Sequence, residues 1–519
     1  MVIKKSNIFK ISIAIVGFFL LVLVAAHWFV KSKIESFLKN DLPNHIELEY
    51  SNVDLNIISG SIIIDTITLT QFTKENYKIK GILKADKLTI KNVAYTSLLI
   101  HKEIEINYID IKKPSIKHFT GFSKKTKEND DKNKRFFNNP ITIKKLNSTN
   151  GNVQLLDSNK ETVFSAKDIN ISLKNCVFKI DDAKNKIPFS YGNSEVSAST
   201  IFADLGPFEN ATISKLIAKN NVLTAKNLQL KTKYTKEKLS KNIKTERDYI
   251  DLNIPELELK NISYGYNKTK FFINIFKTEI HNPKLEVYRD KLVTDDLSHK
   301  FMYSKMLRDL PIHLAMDSIL INKGHIAYQE KLEPKISPEK LYFSNIDASI
   351  ANLNNTSKKN TRVTTKSKLM GKTPLELSWA FSISKTTDFF TAWGSFKDLN
   401  IKSINPFLNS NLRATAEGDM QRMYFTISGN RQNAAGDLKI KYNNFKFKIL
   451  KKDRLGVNKL LTKLGNLIIK EGSKTNPKDF RYGKIKVERD TTKSFFNYLW
   501  ISVKGGLLDA LTGKGVKEE

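Results

Sequence analysis

Cysteine is nearly absent from this chain of 519 residues, and Cys176 stands alone. No disulfide can form within the chain, and a zinc site built on paired cysteines is excluded. A lone cysteine after a strand-like run is expected as a small buried hydrophobe. Acidic residues are scarce as well: 53 Asp+Glu stand against 86 Lys+Arg, a formal charge of +33. The signatures of catalysis are missing too. "LMGKTP" holds Gly371, Lys372 and Thr373, but Lys366 occupies the place where a phosphate-binding loop needs its first glycine. The eight histidines lack zinc-ligand spacing, and no G-x-S-x-G turn occurs. The chain is therefore not read as an enzyme, and no metal, cofactor or catalytic residue is expected.

A positive excess of this size points to anionic partners or surfaces. The cations are mostly lysines, spread every second or third position along strand-like segments such as "YKIKGILKADKLTIKNV". Base readout favours arginine in a local patch, so nucleic acid is not expected as a partner. Lysines spaced this way sit on solvated strand faces and blunt sheet edges. Attraction to anionic lipid headgroups is the other use of the charge.

Only one long hydrophobic run exists. From Ile11 to Val30 the polar members are Ser12 and His27 alone. At 1.5 Å per residue the run spans about 30 Å, the thickness of a bilayer's hydrocarbon. Lys4, Lys5 and Lys10 precede it, which keeps residues 1–10 cytoplasmic and sends the body across. Val24 and Ala26 would suit signal-peptide cleavage, but Trp28, Phe29 and Val30 carry the apolar run past that point. A retained anchor over 11–30 is expected, with Trp28 at its interface. Ile34, Phe37 and Leu38 then share a helical face before Pro43, which predicts a juxtamembrane helix over 31–43.

Strand signals dominate residues 44–450. "SGSIIIDTITLTQ", "KADKLTIKNVAY" and "FSAKDINISLKNCVF" alternate β-branched or aromatic residues with polar ones. Two stretches break the pattern. Residues 122–135, "FSKKTKENDDKNKR", are almost wholly polar and predict a mobile surface loop. Residues 294–311 place Leu297, Phe301 and Leu307 near one face, which predicts a helical insert.

A repeat runs through the strands. Ile104, Ile106, Ile109, Pro114 and Ile116 match Ile141, Ile143, Leu146, Gly151 and Val153. Ile273, Ile275, Pro283 and Leu285, with Thr278 in the middle, match Leu314, Met316, Ile319, Gly324 and Ile326. The second pair starts 169 and 173 residues after the first. Chance similarity among Ile-rich strands is one explanation. Duplication of an antiparallel β unit is the other, with a bulge where the apolar parity changes.

Residues 451–519 predict amphipathic helices. Leu460, Leu461, Leu464, Leu467 and Ile468 recur at helical spacing, and "KSFFNYLWISVKGGLLDALTG" is rich in aromatics between lysines. Phe495, Phe496, Leu499 and Trp500 are candidates for a membrane interface; packing of an ordinary helix on the last strands is the alternative.

Together with the anchor, the strands "LKADKLTIKNVAYTSLLIHKEIEINYIDIKKPSI", the later "GNVQLLD" and "GHIAYQEK", and "AAGDLKIKYNNFKFKIL" followed by the aromatic C-terminus, the chain resembles the AsmA-like proteins of Gram-negative envelopes. The resemblance spans most of the chain and rests on cadence rather than on a signature. It implies an inner-membrane anchor, a periplasmic body and a role in outer-membrane lipid homeostasis. It also implies β-grooves that carry phospholipid, and the family offers no catalytic residues to transfer.

The physical reading runs parallel. A sheet with one apolar face must bury it on another layer or on a ligand, and helical cover is scarce here. The expected fold is mainly β: an N-terminal transmembrane helix, then a long, repetitive, mostly antiparallel sheet curved into an apolar groove, a few short helices and a helical C-terminus. Some twenty strands at about 4.8 Å would reach on the order of 100 Å. Groove candidates are Ile104, Ile106, Ile141, Ile143, Ile273, Ile275, Leu314, Met316 and Ile319, with phospholipid acyl chains as ligand. The C-terminus is the candidate contact with the outer membrane or an envelope protein. The rival expectation is an envelope scaffold of closed β-sandwiches.

Overall fold

A computed structural model describes residues 31–32, 36, 42–56, 58–94, 97, 103–121, 140–179, 189–267, 269–412, 414–449 and 480–513. The anchor segment 11–30 with Trp28, the loop 122–135 and the apolar positions 460–468 lie outside the described residues, as does most of 31–43. Among the described residues no helix is long and apolar enough to cross a membrane. The described fold is mainly β, with four helices and mixed strand pairing. The chain divides into two compact units, residues 1–205 with 212–220, and residues 206–211 with 221–519.

The first unit holds β1 (Ile46–Glu49), β2 (Asn52–Asn56), β3 (Ser61–Phe72), β4 (Ile79–Val93) and β5 (Ile104–Lys112). It continues with β6 (Ser115–Phe119), β7 (Ile141–Leu156), β8 (Thr162–Phe178), β9 (Phe189–Ser190) and β10 (Ser194–Asp204). After β11 (Glu209–Lys219) the second unit runs through β12 (Val222–Thr232), α1 (Lys236–Asn242), β13 (Asp248–Asn267), β14 (Lys270–His281) and β15 (Lys284–Asp290). Next come α2 (Tyr303–Arg308), β16 (His313–Lys331), β17 (Leu341–Asn354), β18 (Thr361–Leu369), β19 (Thr373–Phe381) and β20 (Phe390–Leu399). The last elements are α3 (Ile401–Leu412), β21 (Ala414–Gly429), β22 (Asn433–Ile449), β23 (Arg481–Glu488) and α4 (Phe495–Thr512).

The sequence repeat is the register of the sheet. β5 pairs with β7 in parallel, Ile104 opposite Ile141, Ile106 opposite Ile143 and Ile109 opposite Leu146, and β6 continues it with Ile116 opposite Val153. In the second unit β14 pairs with β16, Ile273 opposite Leu314, Ile275 opposite Met316 and Thr278 opposite Ile319, and β15 follows with Leu285 opposite Ile326. Most pairings are antiparallel, as expected; the correction concerns the repeat alone, whose recurring segments lie side by side and point the same way.

Each recurring segment bends at one place. The backbone of Lys113, Asn150, Asn282 and Lys323 is left-handed, with φ of 46°, 54°, 51° and 54°. Pro114 and Pro283 follow the bend in one strand of each pair, and buried Gly151 and Gly324 answer in the other. The Pro114 carbonyl accepts from the Asn152 N–H at 2.7 Å, and the Pro283 carbonyl from the His325 N–H at 2.8 Å. A Cβ on Gly151 would stand 3.2 Å from Pro114 Cγ, and one on Gly324 3.4 Å from Pro283 Cγ. Proline lacks an N–H to lose and glycine lacks a Cβ to clash, which suits the pair to a kink crossing two strands. Asn92 and Asn261, Asp168 and Asn345, and Asn175 and Asn352 repeat the left-handed geometry in the flanking strands of the two units. A duplicated architecture accounts for this better than chance likeness of Ile-rich strands.

Two predicted helical stretches differ. Of residues 294–311, only Tyr303–Arg308 is helical. Asp296 accepts the Ser298 N–H at 2.9 Å, and the Lys300 N–H donates to the Thr491 carbonyl at 2.8 Å; both take donors that a helix would need. Within 451–519, α4 is helical, but residues 481–488 form β23, where Gly483 and Ile485 are buried while Lys484 and Lys486 are exposed.

Candidate functional site

The strand alternation sorts side chains onto two faces. In the first unit, Ile62, Ile90, Ile109, Leu146 and Leu173 are cross-strand neighbours on five successive strands. Two residues along, Ile64, Leu88, Ile111, Ser148, Ile171 and Val196 form the next row. Most of these side chains are only half-buried, and the elements described for this unit from Ile46 onward are all strands. A third row, Val93, Ile106, Ile143 and Cys176, is more enclosed; its last three members are buried. Burial raises the Cys176 thiol above its ordinary pKa.

The second unit carries a longer row. Ala225, Leu257, Ile280, Ile321, Ala348, Thr365 and Leu377 are successive neighbours. The row goes on through Gly394, Phe425, Leu438 and Gly483. From Leu257 to Leu377 its side chains are half-buried, whereas Phe425 and Leu438 are buried in the main core. The cause of the change is α4. Phe495, Tyr498, Ser502, Gly506 and Ala510 follow one another at three- and four-residue steps, with Leu499 beside Tyr498, and all are buried. A Cβ on Gly506 would come 2.7 Å from Ile485 Cγ1 and 3.0 Å from Leu438 Cβ, so the helix rests directly on β22 and β23. The N–H of Asn497 donates to the Ser494 hydroxyl at 3.2 Å. At the other end buried Arg481 donates to the Ala510 and Gly513 carbonyls, both at 2.8 Å. Both helix ends are thereby satisfied.

The opposite face of the same strands is polar. Glu258 and Glu279 stand opposite each other, separated electrostatically by Lys260, which is 3.0 Å from Glu258 and also donates to Glu279. Lys277 lies 3.0 Å from Glu279. The hydrogen bonds from Lys260 and then Lys277 hold the Glu279 carboxyl down at about 2. α1 also belongs to this side: Lys236 donates to Gln329 at 3.0 Å and sits over the Tyr288 ring at 5.0 Å. Tyr288 and Gln329 are register partners one position away from the apolar pair Val287 and Tyr328. Helical cover of the apolar face is thus concentrated at the C-terminal strands.

The candidates from sequence separate accordingly. Ile106, Ile143, Ile275 and Ile319 are buried, while Ile104, Ile141, Ile273, Leu314 and Met316 are half-buried on the same face. Leu314 also touches the margin of the main core. Of the membrane-interface candidates, Phe495 and Leu499 are buried against the sheet, and Phe496 and Trp500 point outward, 50% and 53% exposed. Missed from sequence was the tip of the β13–β14 hairpin, where the apolar row Ile262–Ile275–Met316 leads to Tyr264–Ile273–Leu314 and then to Tyr266–Phe271. Its signal was the run "YGYNKTKFF". Among the described residues no group of three or more His, Cys, Asp or Glu is placed to hold a metal. No protein-family model matches the chain, and no curated protein matches it.

Proposed function

We propose that this protein is an inner-membrane-anchored, periplasmic, AsmA-like protein of a Gram-negative envelope. In this reading it binds phospholipid acyl chains along the apolar face of its sheet and conveys them towards the outer membrane, supporting lipid homeostasis or assembly there. One observation carries the proposal: apolar cross-strand rows run over many successive strands while keeping part of their surface in solvent. Each CH₂ buried on such a surface contributes about 0.8 kcal/mol, so a trough of this kind stands in for the bilayer along its length. The lysine-rich opposite face keeps the same strands in water.

The test is lipid extraction from the purified protein followed by mass spectrometry. Bound phospholipid is expected, and less of it in Met316→Asp, where a charge interrupts the half-buried row. Ile319→Asp, at a buried position, should instead unfold the unit. Lipid-free wild-type protein would sink the reading. The second reading, a non-transporting envelope scaffold, is favoured by one feature, the closed core under α4. It gains if Met316→Asp proves as unstable as Ile319→Asp.

A further inference from the structure

Large apolar side chains are left in solvent at scattered places along the chain, and two stretches far apart in sequence supply six of them. Leu297 is 73% exposed, and Phe301, Met306, Phe496 and Trp500 are each about half exposed, with Tyr303 only somewhat less. The fold brings these stretches together at the start of α4. Lys300 N–H donates to the Thr491 carbonyl at 2.8 Å, and buried Arg489 donates to the Lys300 carbonyl at 2.6 Å. Lys493 reaches Asp295 at 3.2 Å and the deeply buried Glu246 at 3.7 Å. The Tyr303 ring then meets Phe496 at 6.3 Å and Phe495 at 5.6 Å, edge to face. Arg308 and Ser304 are fixed from below by buried Asp388, at 3.0 and 2.9 Å. The outward side chains therefore stand on a rigid base, and their exposure is not that of a loose loop.

The chemistry of the patch favours one occupant. Trp, Tyr, Phe, Met and Leu match the composition of segments that lie in the headgroup region of a bilayer. The lysines among them, Lys300, Lys305 and Lys493, are already held by Asp296, Asp309 and Asp295, so the cation left for a lipid is Lys504. Phe496, Trp500 and Lys504 follow at four-residue spacing along α4, so the lysine prolongs the aromatic stripe. Lys504 is half-buried, and among the described residues no carboxylate pairs with it. Burial disfavours its ammonium and lowers its pKa, a penalty that an anionic group brought to the same place would offset. The formal charge of +33 over the chain attracts an anionic surface at longer range.

We infer that Leu297, Phe301, Tyr303, Met306, Phe496 and Trp500 form a composite surface that docks on an anionic phospholipid bilayer, with Lys504 meeting a headgroup phosphate. This surface is separate from the apolar sheet face and stands without the acyl-chain reading: Met316→Asp should abolish one and leave the other.

The experiment uses the full chain with Cys176→Ser, reconstituted with vesicles. Single cysteines replace Phe301, Met306 or Trp500, or the exposed Lys366 as a control, and carry an environment-sensitive fluorophore. With vesicles of phosphatidylethanolamine and phosphatidylglycerol, the three patch probes should shift to the blue. They should also be quenched by lipids bearing a nitroxide on the acyl chain, while the Lys366→Cys probe does neither. Vesicles of phosphatidylcholine alone should give weaker quenching, and Lys504→Gln should remove most of the difference between the two compositions. Patch probes that behave like the control in both vesicle types overturn the inference. A blue shift that needs no lipid and grows with protein concentration also overturns it, assigning the surface to a second copy of the chain.

Discussion

Gly483 of β23 faces Gly506 of α4 so closely that a Cβ on Gly483 would stand 2.1 Å from the Gly506 carbonyl oxygen and 2.5 Å from the Ala510 nitrogen. Neither atom belongs to a side chain that could turn away. Gly483→Ala is expected to lift α4 from the sheet and cost about 3 kcal/mol, seen as a lower urea midpoint. Gly505→Ala, whose Cβ would meet only Val487 Cγ2 at 3.4 Å, is expected to be neutral or to stabilise by up to about 1 kcal/mol through helix propensity. Equal midpoints for the two variants would show that the helix is not seated as described.

The duplicated kink makes a paired prediction. A Cβ on Gly151 meets the Ile169 carbonyl oxygen at 3.2 Å, while one on Gly324 meets side-chain atoms of Ile346, Ile321 and Pro283 at 3.3 to 3.4 Å. Both alanine variants should be destabilised by about 1–2 kcal/mol. Gly151→Ala should suffer more, because a backbone carbonyl yields less than a side chain. Thermal melts of the two variants decide the order.

Glu279 links stability to acid. Its native carboxyl titrates at about 2, against an ordinary value of 4.5, so the unfolded chain takes up the proton first as pH falls. The contribution of the carboxylate is complete above 4.5 and is lost on descending towards 2. Glu279→Gln should therefore be less stable than the wild type at neutral pH, and the gap should close between these limits. Denaturant midpoints over that range test it; a gap independent of pH would show that the lysine pairs contribute nothing through this charge.

Cys176 has no exposed surface, and burial disfavours its thiolate. The thiolate is the reactive form, so maleimide labelling of the native protein should be very slow and should become fast in denaturant. Rapid labelling in the native state would mean that the row Ile106–Ile143–Cys176 opens to solvent.

Much of the candidate face was legible in the sequence because strand periodicity is local. Alternation at two-residue spacing put Ile104 with Ile106, and Ile273 with Ile275, on one face before any partner strand was known. The sequence also showed the parity change between Ile106 and Ile109 and read a bulge there. The left-handed backbone at Lys113 and Asn150, beside Pro114 and Gly151, became visible only in the structure. The direction of pairing was not legible. A strand's apolar pattern is the same whether its neighbour runs parallel or antiparallel, and hydrogen bonds between distant segments decide which.

Exposure was likewise decided by the tertiary structure. The sequence determined that Phe495, Phe496, Leu499 and Trp500 would lie on a helix, but a cluster of aromatics has no inside until a layer arrives to cover one side. The close approach of β23 through Gly483 selected Phe495 and Leu499 for the core and left Phe496 and Trp500 in solvent. The docking of residues 295–308 beside Thr491 and Lys493 then set Phe301, Tyr303 and Met306 next to them. Local pattern fixes which side chains share a face, whereas only long-range packing decides which face meets water.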